Sequence, residues 1–103
     1  MHKFDRKTPM EKVINGKLYD SDTAEHIAEN DNKLYDNDFS YCKESLYITK
    51  NGDFFVAGQG GQLSRWPGCG GIEVLTKAQA LDWCEKHEVD AYTITHHFEI
   101  VEG

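Results

Sequence analysis

The chain has 103 residues and a formal net charge of −7, with 18 acidic against 11 basic side chains. Its hydrophobic content of 39% suits one folded domain, and its apolar runs are too short to span a membrane. The acidic balance argues against a protein that binds nucleic acid directly by neutralising phosphates. It fits either a protein that docks on a basic surface or an ordinary acidic domain.

The first residues carry charge and a proline but no hydrophobic periodicity. This pattern predicts a flexible N-terminal arm over residues 1–11 and a single domain over residues 12–103. The arm lacks the apolar stretch of a secretory signal, so a cytoplasmic protein is expected. Three cysteines without a CxxC pair are predicted to be reduced.

Two structural signals follow the arm. Asn15-Gly16, flanked by short apolar pairs, predicts a small hairpin that must pack on a larger sheet. Asp22 followed by Glu25 resembles a helix N-cap and its reciprocal partner, and a short apolar stripe comes after them. A short helix ending near Asn30 is therefore predicted.

The strongest hairpin signal lies in residues 44–61, ESLYITKNGDFFVAGQGG. Asn51-Gly52 separates two runs of β-forming residues, and this pair predicts a type I′ turn. Six glycines and one proline then fill residues 58–71, which predicts a long loop around Trp66. This loop matches neither the GxxxxGK[ST] nor the GxGxxG pattern of phosphate-binding loops.

A strand at residues 72–75 and a helix at residues 77–87, capped by Thr76, are predicted next. Residues 89–101 fit both a strand alternation and a helical stripe with Asp90 as the N-cap, so periodicity leaves this segment undecided. The predicted fold class is α+β. A small antiparallel sheet of three to four strands, built on the central hairpin, is covered by two or three helices.

No cofactor is predicted, and the alternative is a small binding domain that is stabilised by zinc. Cys84 and His87 are spaced to reach one ion from a single helix, and His96 and His97 could complete a four-ligand set. A buried cysteine and a histidine at a helix C-terminus explain the same pair without a metal. Cys69 lacks a local group that would activate its thiol, so we expect no enzyme activity.

Acidic side chains between residues 20 and 38 are opposed only by Lys33. They predict either an acidic docking face or a solvated surface with capping acids. In the docking hypothesis, an aromatic anchor from Tyr35 or Trp66 supplies affinity. The predicted partner-binding acids are Asp20, Asp22, Glu25, Glu29, Asp31, Asp36 and Asp38.

Three motifs together resemble a family of small, mostly uncharacterised proteins from phages and mobile elements of Gram-positive bacteria. They are residues 12–28 (KVINGKLYDSDTAEHIA), residues 44–61, and residues 75–87 (LTKAQALDWCEKH). The resemblance covers about two thirds of the chain. It also implies that the segment after the third motif is helical.

Some proteins of this type act as inhibitors of bacterial defence, including anti-CRISPR proteins. The resemblance therefore implies a non-enzymatic, protein-binding inhibitor that works in the cytoplasm of a bacterial host. Its partner would be a host defence effector such as a CRISPR effector nuclease, blocked by occlusion with the acidic face. The resemblance carries no catalytic residue onto this chain.

Overall fold

The structure is a computed structural model that describes residues 10–32, 39–60, 66 and 70–103. Within these residues the chain forms an α+β fold of two antiparallel sheets and two helices, which confirms the predicted class. The elements in chain order are β1 (Glu11–Ile14), β2 (Lys17–Asp20), β3 (Glu25–Asp31), β4 (Cys42–Ile48), β5 (Phe54–Gly60), β6 (Gly71–Leu75), α1 (Lys77–Lys86) and α2 (Ala91–His97).

Strands β1 and β2 form a separate two-stranded sheet. Their turn has φ values of 53° at Asn15 and 79° at Gly16, the two positive angles that a type I′ turn requires. The hairpin extends back to Met10, whose backbone N–H donates to Ser21 Oγ at 3.0 Å. Met10 and Glu11 thus belong to this hairpin and not to the predicted N-terminal arm.

The larger sheet has the order β3-β4-β5-β6, with every neighbouring pair antiparallel. The predicted hairpin is confirmed as β4 and β5, but its turn is not type I′. Gly52 has a φ of 89° while Asn51 does not have a positive φ. The Gly52 N–H donates to Thr49 O at 2.9 Å and the Thr49 N–H to Asp53 O at 2.8 Å. These bonds describe a type I turn closed by a left-handed glycine.

The predicted helix after Asp22 is wrong, because this segment forms strand β3. The Asp22 N–H donates to the Asp20 carboxylate at 2.9 Å and ends the hairpin in a turn instead of starting a helix. The strand pairs with β4, and a bulge between His26 and Ala28 allows Ile27 to enter the core. A full ladder and a buried isoleucine outweigh the local capping signal.

Both helices cover the same face of the four-stranded sheet. Helix α1 begins at the predicted cap: Thr76 Oγ1 accepts from the Gln79 N–H at 3.1 Å, and Gln79 Oε1 accepts from the Thr76 N–H at 2.9 Å. It ends at Lys86, with His87 as its C-cap. Helix α2 confirms the helical alternative for the tail over Ala91–His97, with Asp90 as its N-cap, whereas the chain is extended from Phe98.

Two apolar clusters lie on opposite faces of this sheet. The first cluster places α1 and Phe98 over the sheet, and its buried members are Ile27, Leu46, Phe54, Val56, Ala80, Trp83, Cys84 and Phe98. The second cluster joins the β1-β2 hairpin to the other face through Tyr19, Phe55, Ala57 and Ile72. The small hairpin therefore packs on the larger sheet, as predicted.

The glycine-rich segment is partly strand. Gly58 and Gly60 belong to β5 and Gly71 begins β6, so the connection is shorter than the predicted loop. Residues 61–65 and 67–69, including Cys69, lie outside the described residues.

Candidate functional site

The predicted acidic residues that the structure describes lie on β3 and at the end of β2 with the turn that joins the two strands. Asp20 ends β2 and Asp22 occupies the turn that follows it. Glu25, Glu29 and Asp31 are on β3, which has β4 as its only paired neighbour among the described residues. Tyr35, Asp36 and Asp38 lie outside the described residues.

The acids on β3 point to both faces of the sheet. Glu29 and Asp31 are opposite Ser45 and Lys43, while Glu25 is opposite Ile48. Because paired residues share a face, Glu25 lies on the helix-covered side and the other two acids lie on the far side. Strand β3 therefore carries negatively charged side chains on both faces of the sheet.

Few basic groups balance this edge. The sequence has no lysine or arginine between residues 20 and 32. Lys43 Nζ lies 3.5 Å from Glu29 Oε2, and both side chains are partly exposed. A surface ion pair of this kind contributes only about 0–1 kcal/mol of stability, since water screens it. One lysine is set against three carboxylates on β3, so this strand keeps a net negative charge. We call Asp20, Asp22, Glu25, Glu29 and Asp31 the acidic edge.

Trp66 is held against the helix-covered face of the sheet, apart from the acidic edge. Its ring lies over the paired glycines Gly58 and Gly71. Its indole Nε1–H donates to Glu44 Oε2 at 2.7 Å. This half-buried tryptophan packs on the core of the protein, and its role as a partner-binding anchor stays a prediction.

Glu44 is a buried carboxylate that was not among the predicted site residues. Only 5% of the residue is exposed. Its second oxygen, Oε1, accepts from the Trp83 Nε1–H at 2.8 Å, so two indoles share one carboxylate. The sequence does carry a sign of this burial, because Glu44 alternates with Leu46 and Ile48 and so shares the apolar face of the predicted strand.

The predicted zinc ligands do not form one group. Cys84 is fully buried, and burial together with the nearby charge of Glu85 raises the pKa of its thiol. His87 packs edge-on against Trp83, with ring centroids 4.7 Å apart. In the described part of the chain, Glu25 instead joins His96 and His97, and their possible ligand atoms all lie within 4.8 Å of one another.

Comparison of the chain with protein families, curated proteins and solved structures found no match. Among the described residues, neither helix has the length and apolar character needed to cross a membrane. Function is therefore inferred from the sequence motifs and from the geometry of the described residues. These residues present an acidic strand edge on one side of the fold and a histidine–carboxylate group at one end of that edge.

Proposed function

We propose that this protein is a non-enzymatic, protein-binding inhibitor from a phage or mobile element. Its partner would be a host defence effector such as a CRISPR effector nuclease, met in the cytoplasm of a bacterial cell. The three sequence motifs suggest the class, and the acidic edge is the observation that carries the proposal. Occlusion of the effector, without chemistry on it, would be the mode of action.

The charge of the acidic edge explains why an effector surface suits it. Effectors guided by nucleic acid hold their nucleic acid in positively charged channels. A row of carboxylates on a rigid strand would be attracted to such a channel and would compete with phosphates for its basic side chains. The same charge would repel nucleic acid itself, so the protein would bind the effector and not its substrate.

The edge position of β3 adds a geometric argument. An edge strand projects from the sheet and can enter a groove that a central strand cannot reach. Strand β4 fixes the spacing of Glu25, Glu29 and Asp31 through its ladder. The acids therefore meet a partner with little loss of backbone freedom, and this favours affinity.

The first experiment captures the partner. Tagged protein is incubated with a nuclease-treated lysate of a host that carries defence systems, and retained proteins are identified at low and raised salt. We expect one defence effector that is released as the salt rises, because charge attraction is screened. Retention of no effector in any such host would contradict the proposal.

A charge-matched pair of variants then tests the acidic edge. The variant Asp22→Asn/Glu29→Gln/Asp31→Asn removes three negative charges from the edge. We expect it to bind the captured effector at least about tenfold more weakly at low salt, mainly through slower association. The control Asp82→Asn/Glu85→Gln/Glu102→Gln removes the same charge elsewhere and should bind like the unaltered protein. Equal losses of affinity in the two variants would show that binding depends on the net charge of the protein and not on the acidic edge.

A cleavage assay tests the CRISPR component of the proposal. The purified protein is added to an RNA-guided nuclease with its guide and target DNA, and product formation is measured. We expect the unaltered protein to inhibit cleavage at a near-equimolar ratio to the nuclease. The variant Asp22→Asn/Glu29→Gln/Asp31→Asn should inhibit cleavage less at the same concentration. If the captured effector were not a CRISPR nuclease, its own activity would replace DNA cleavage as the readout.

A further inference from the structure

A group of metal-binding side chain types lies where β3 begins and α2 ends. Glu25 is the first residue of β3, and His96 and His97 are the last two residues of α2. His97 Nε2 is 3.8 Å from Glu25 Oε2, and one ligand atom from each of the three residues lies within 4.8 Å of the others. Residues far apart in sequence thus converge on one point.

The convergence of the two histidines is unusual for neighbours on a helix. Successive helical side chains point about 100° apart, since a turn has 3.6 residues. His97 is the final residue of α2, and its ring stands at 86° to that of His96 with centroids 4.8 Å apart. The ring of His96 also stacks on Tyr92 at 6.3 Å. Contacts therefore restrain both imidazoles beside the carboxylate.

The group is close to the size that zinc requires. Zinc binds imidazole nitrogen and carboxylate oxygen at about 2.0–2.2 Å, which places tetrahedral donors about 3.3 Å apart. The side chain of His97 is 10% exposed whereas that of Glu25 is 62% exposed, so the carboxylate can rotate to close the remaining gap. Two histidines and one carboxylate are also an established ligand set for zinc and for similar divalent ions.

We propose that Glu25, His96 and His97 form a binding site for a divalent transition metal ion of the zinc class. Three protein ligands leave a fourth position for water. The ligand set differs from the one predicted from sequence, because Glu25 takes the place of Cys84 and His87. Glu25 also belongs to the acidic edge, but this proposal is tested apart from the inhibitor function, since the protein would bind the ion without any partner.

The site gives the metal a structural role. Helix α2 has no buried residue of its own, and the adjacent Phe98 stacks on Phe54 at 5.1 Å. An ion shared by Glu25 and the two histidines would tie this lightly packed helix to the edge of the sheet. A ligand that binds only the folded state raises the melting temperature of the protein, and the gain in stability grows with the logarithm of the ratio of ligand concentration to dissociation constant.

The test uses the full chain, freed of any affinity tag and treated with a chelator. Zn²⁺ is titrated into it by calorimetry, and Co²⁺ is added separately because its visible absorption reports the coordination geometry. We expect one ion per chain and a higher melting temperature with Zn²⁺. Glu25→Gln, His96→Gln and His97→Gln should each weaken binding about tenfold or more and remove the thermal shift.

Matched controls separate this site from other histidines and from the cysteine. His26→Gln changes the exposed neighbour of Glu25, and His87→Gln with Cys84→Ser changes the set predicted from sequence. Both variants should bind Zn²⁺ like the unaltered protein. Circular dichroism without metal verifies that every variant folds. Absence of saturable binding, or binding that survives in all three ligand variants, would overturn the proposal.

Discussion

At the scale of single residues, the buried Glu44 joins parts of the chain that are distant in sequence. Its two indole partners, Trp66 and Trp83, lie 22 and 39 residues away. Each N–H donates to a different carboxylate oxygen, so both indole N–H groups have a partner. Loss of such a buried bond leaves a polar atom unsatisfied and costs about 1–3 kcal/mol. The two tryptophans thus depend on the position of this carboxylate.

Gly58 makes a testable contribution to that arrangement. A Cβ atom at this position would collide with the Trp66 ring, including Nε1, the atom that donates to Glu44. We expect Gly58→Ala to displace the ring and lower the free energy of unfolding by about 1–3 kcal/mol. Urea unfolding followed by tryptophan fluorescence would measure the loss, together with a changed emission spectrum of the native state.

Gly71 provides the control for this prediction. It pairs with Gly58 across the sheet, and a Cβ atom there would lie 3.4 Å from Trp66 Cζ3, an ordinary contact. Gly71→Ala should therefore leave stability unchanged or raise it by about 0.5 kcal/mol. If both variants lost the same stability, collision with Trp66 would not be the cause.

At the scale of elements, β3 shows how a tertiary partner selects secondary structure. Residues 22–30 carry helix signals, but they lie beside β4, whose other edge is already paired with β5. On β3, His26 packs edge-on against Tyr47 at 5.2 Å, and Tyr47 in turn stacks on Phe55. These cross-strand contacts, with the ladder, stabilise a strand that the local sequence does not specify.

Helix α2 is the element with a pH-dependent cap. The Asp90 carboxylate accepts from the Thr93 backbone N–H at 3.0 Å and from its hydroxyl at 2.9 Å, and these bonds lower the pKa of Asp90. A lowered pKa means that the cap stabilises α2 fully above the ordinary value of about 3.9. Its contribution is lost as the pH falls through the lowered value.

An NMR titration of the Thr93 amide would measure this effect. We expect its chemical shift to stay constant at neutral pH and to change with a midpoint below about 3.9. Asp90→Asn keeps a capping oxygen but cannot titrate there, so its Thr93 amide should lack the transition. Asp90→Ala should increase amide hydrogen exchange in α2 at neutral pH. A midpoint at or above the ordinary value would contradict the assigned cap.

At the scale of the whole molecule, one face of the sheet and both helices share a single apolar cluster. Cys84 on α1 is fully buried in this cluster beside residues of β4 and β5. Cys42, at the start of β4, is partly exposed. The two thiols therefore differ in their accessibility to solvent, although both belong to the same fold.

Cysteine labelling tests whether α1 and the sheet unfold together. Two variants each keep a single cysteine: Cys42→Ser/Cys69→Ser keeps Cys84, and Cys69→Ser/Cys84→Ser keeps Cys42. Cys84 in the first variant should react with a thiol reagent at least about 100-fold more slowly than Cys42 in the second. Burial excludes the reagent, and the raised pKa of the thiol keeps it protonated. Urea should accelerate the reaction as the whole fold opens. Fast labelling in native buffer would show that α1 detaches on its own.

Several elements could be predicted because their signals are local. Asn15-Gly16 specifies a tight turn, and Thr76 specifies the start of α1, each within a few residues. Asn51-Gly52 located the second turn but not its type, since Thr49 and Asp53 close a longer loop. The acidic residues were recognised as a set, but Glu25 and Glu29 were assigned to a helix although they lie on strand β3.

The sequence by itself determined the α+β class, the central hairpin, β6 and α1, because turn, cap and periodicity signals act between near neighbours. Only the tertiary structure decided that residues 25–31 form an edge strand, that two tryptophans share Glu44, and that Glu25 meets His97. Each of these features joins residues that are far apart along the chain. Their contacts depend on how the strands and helices pack, which no local pattern of residues encodes.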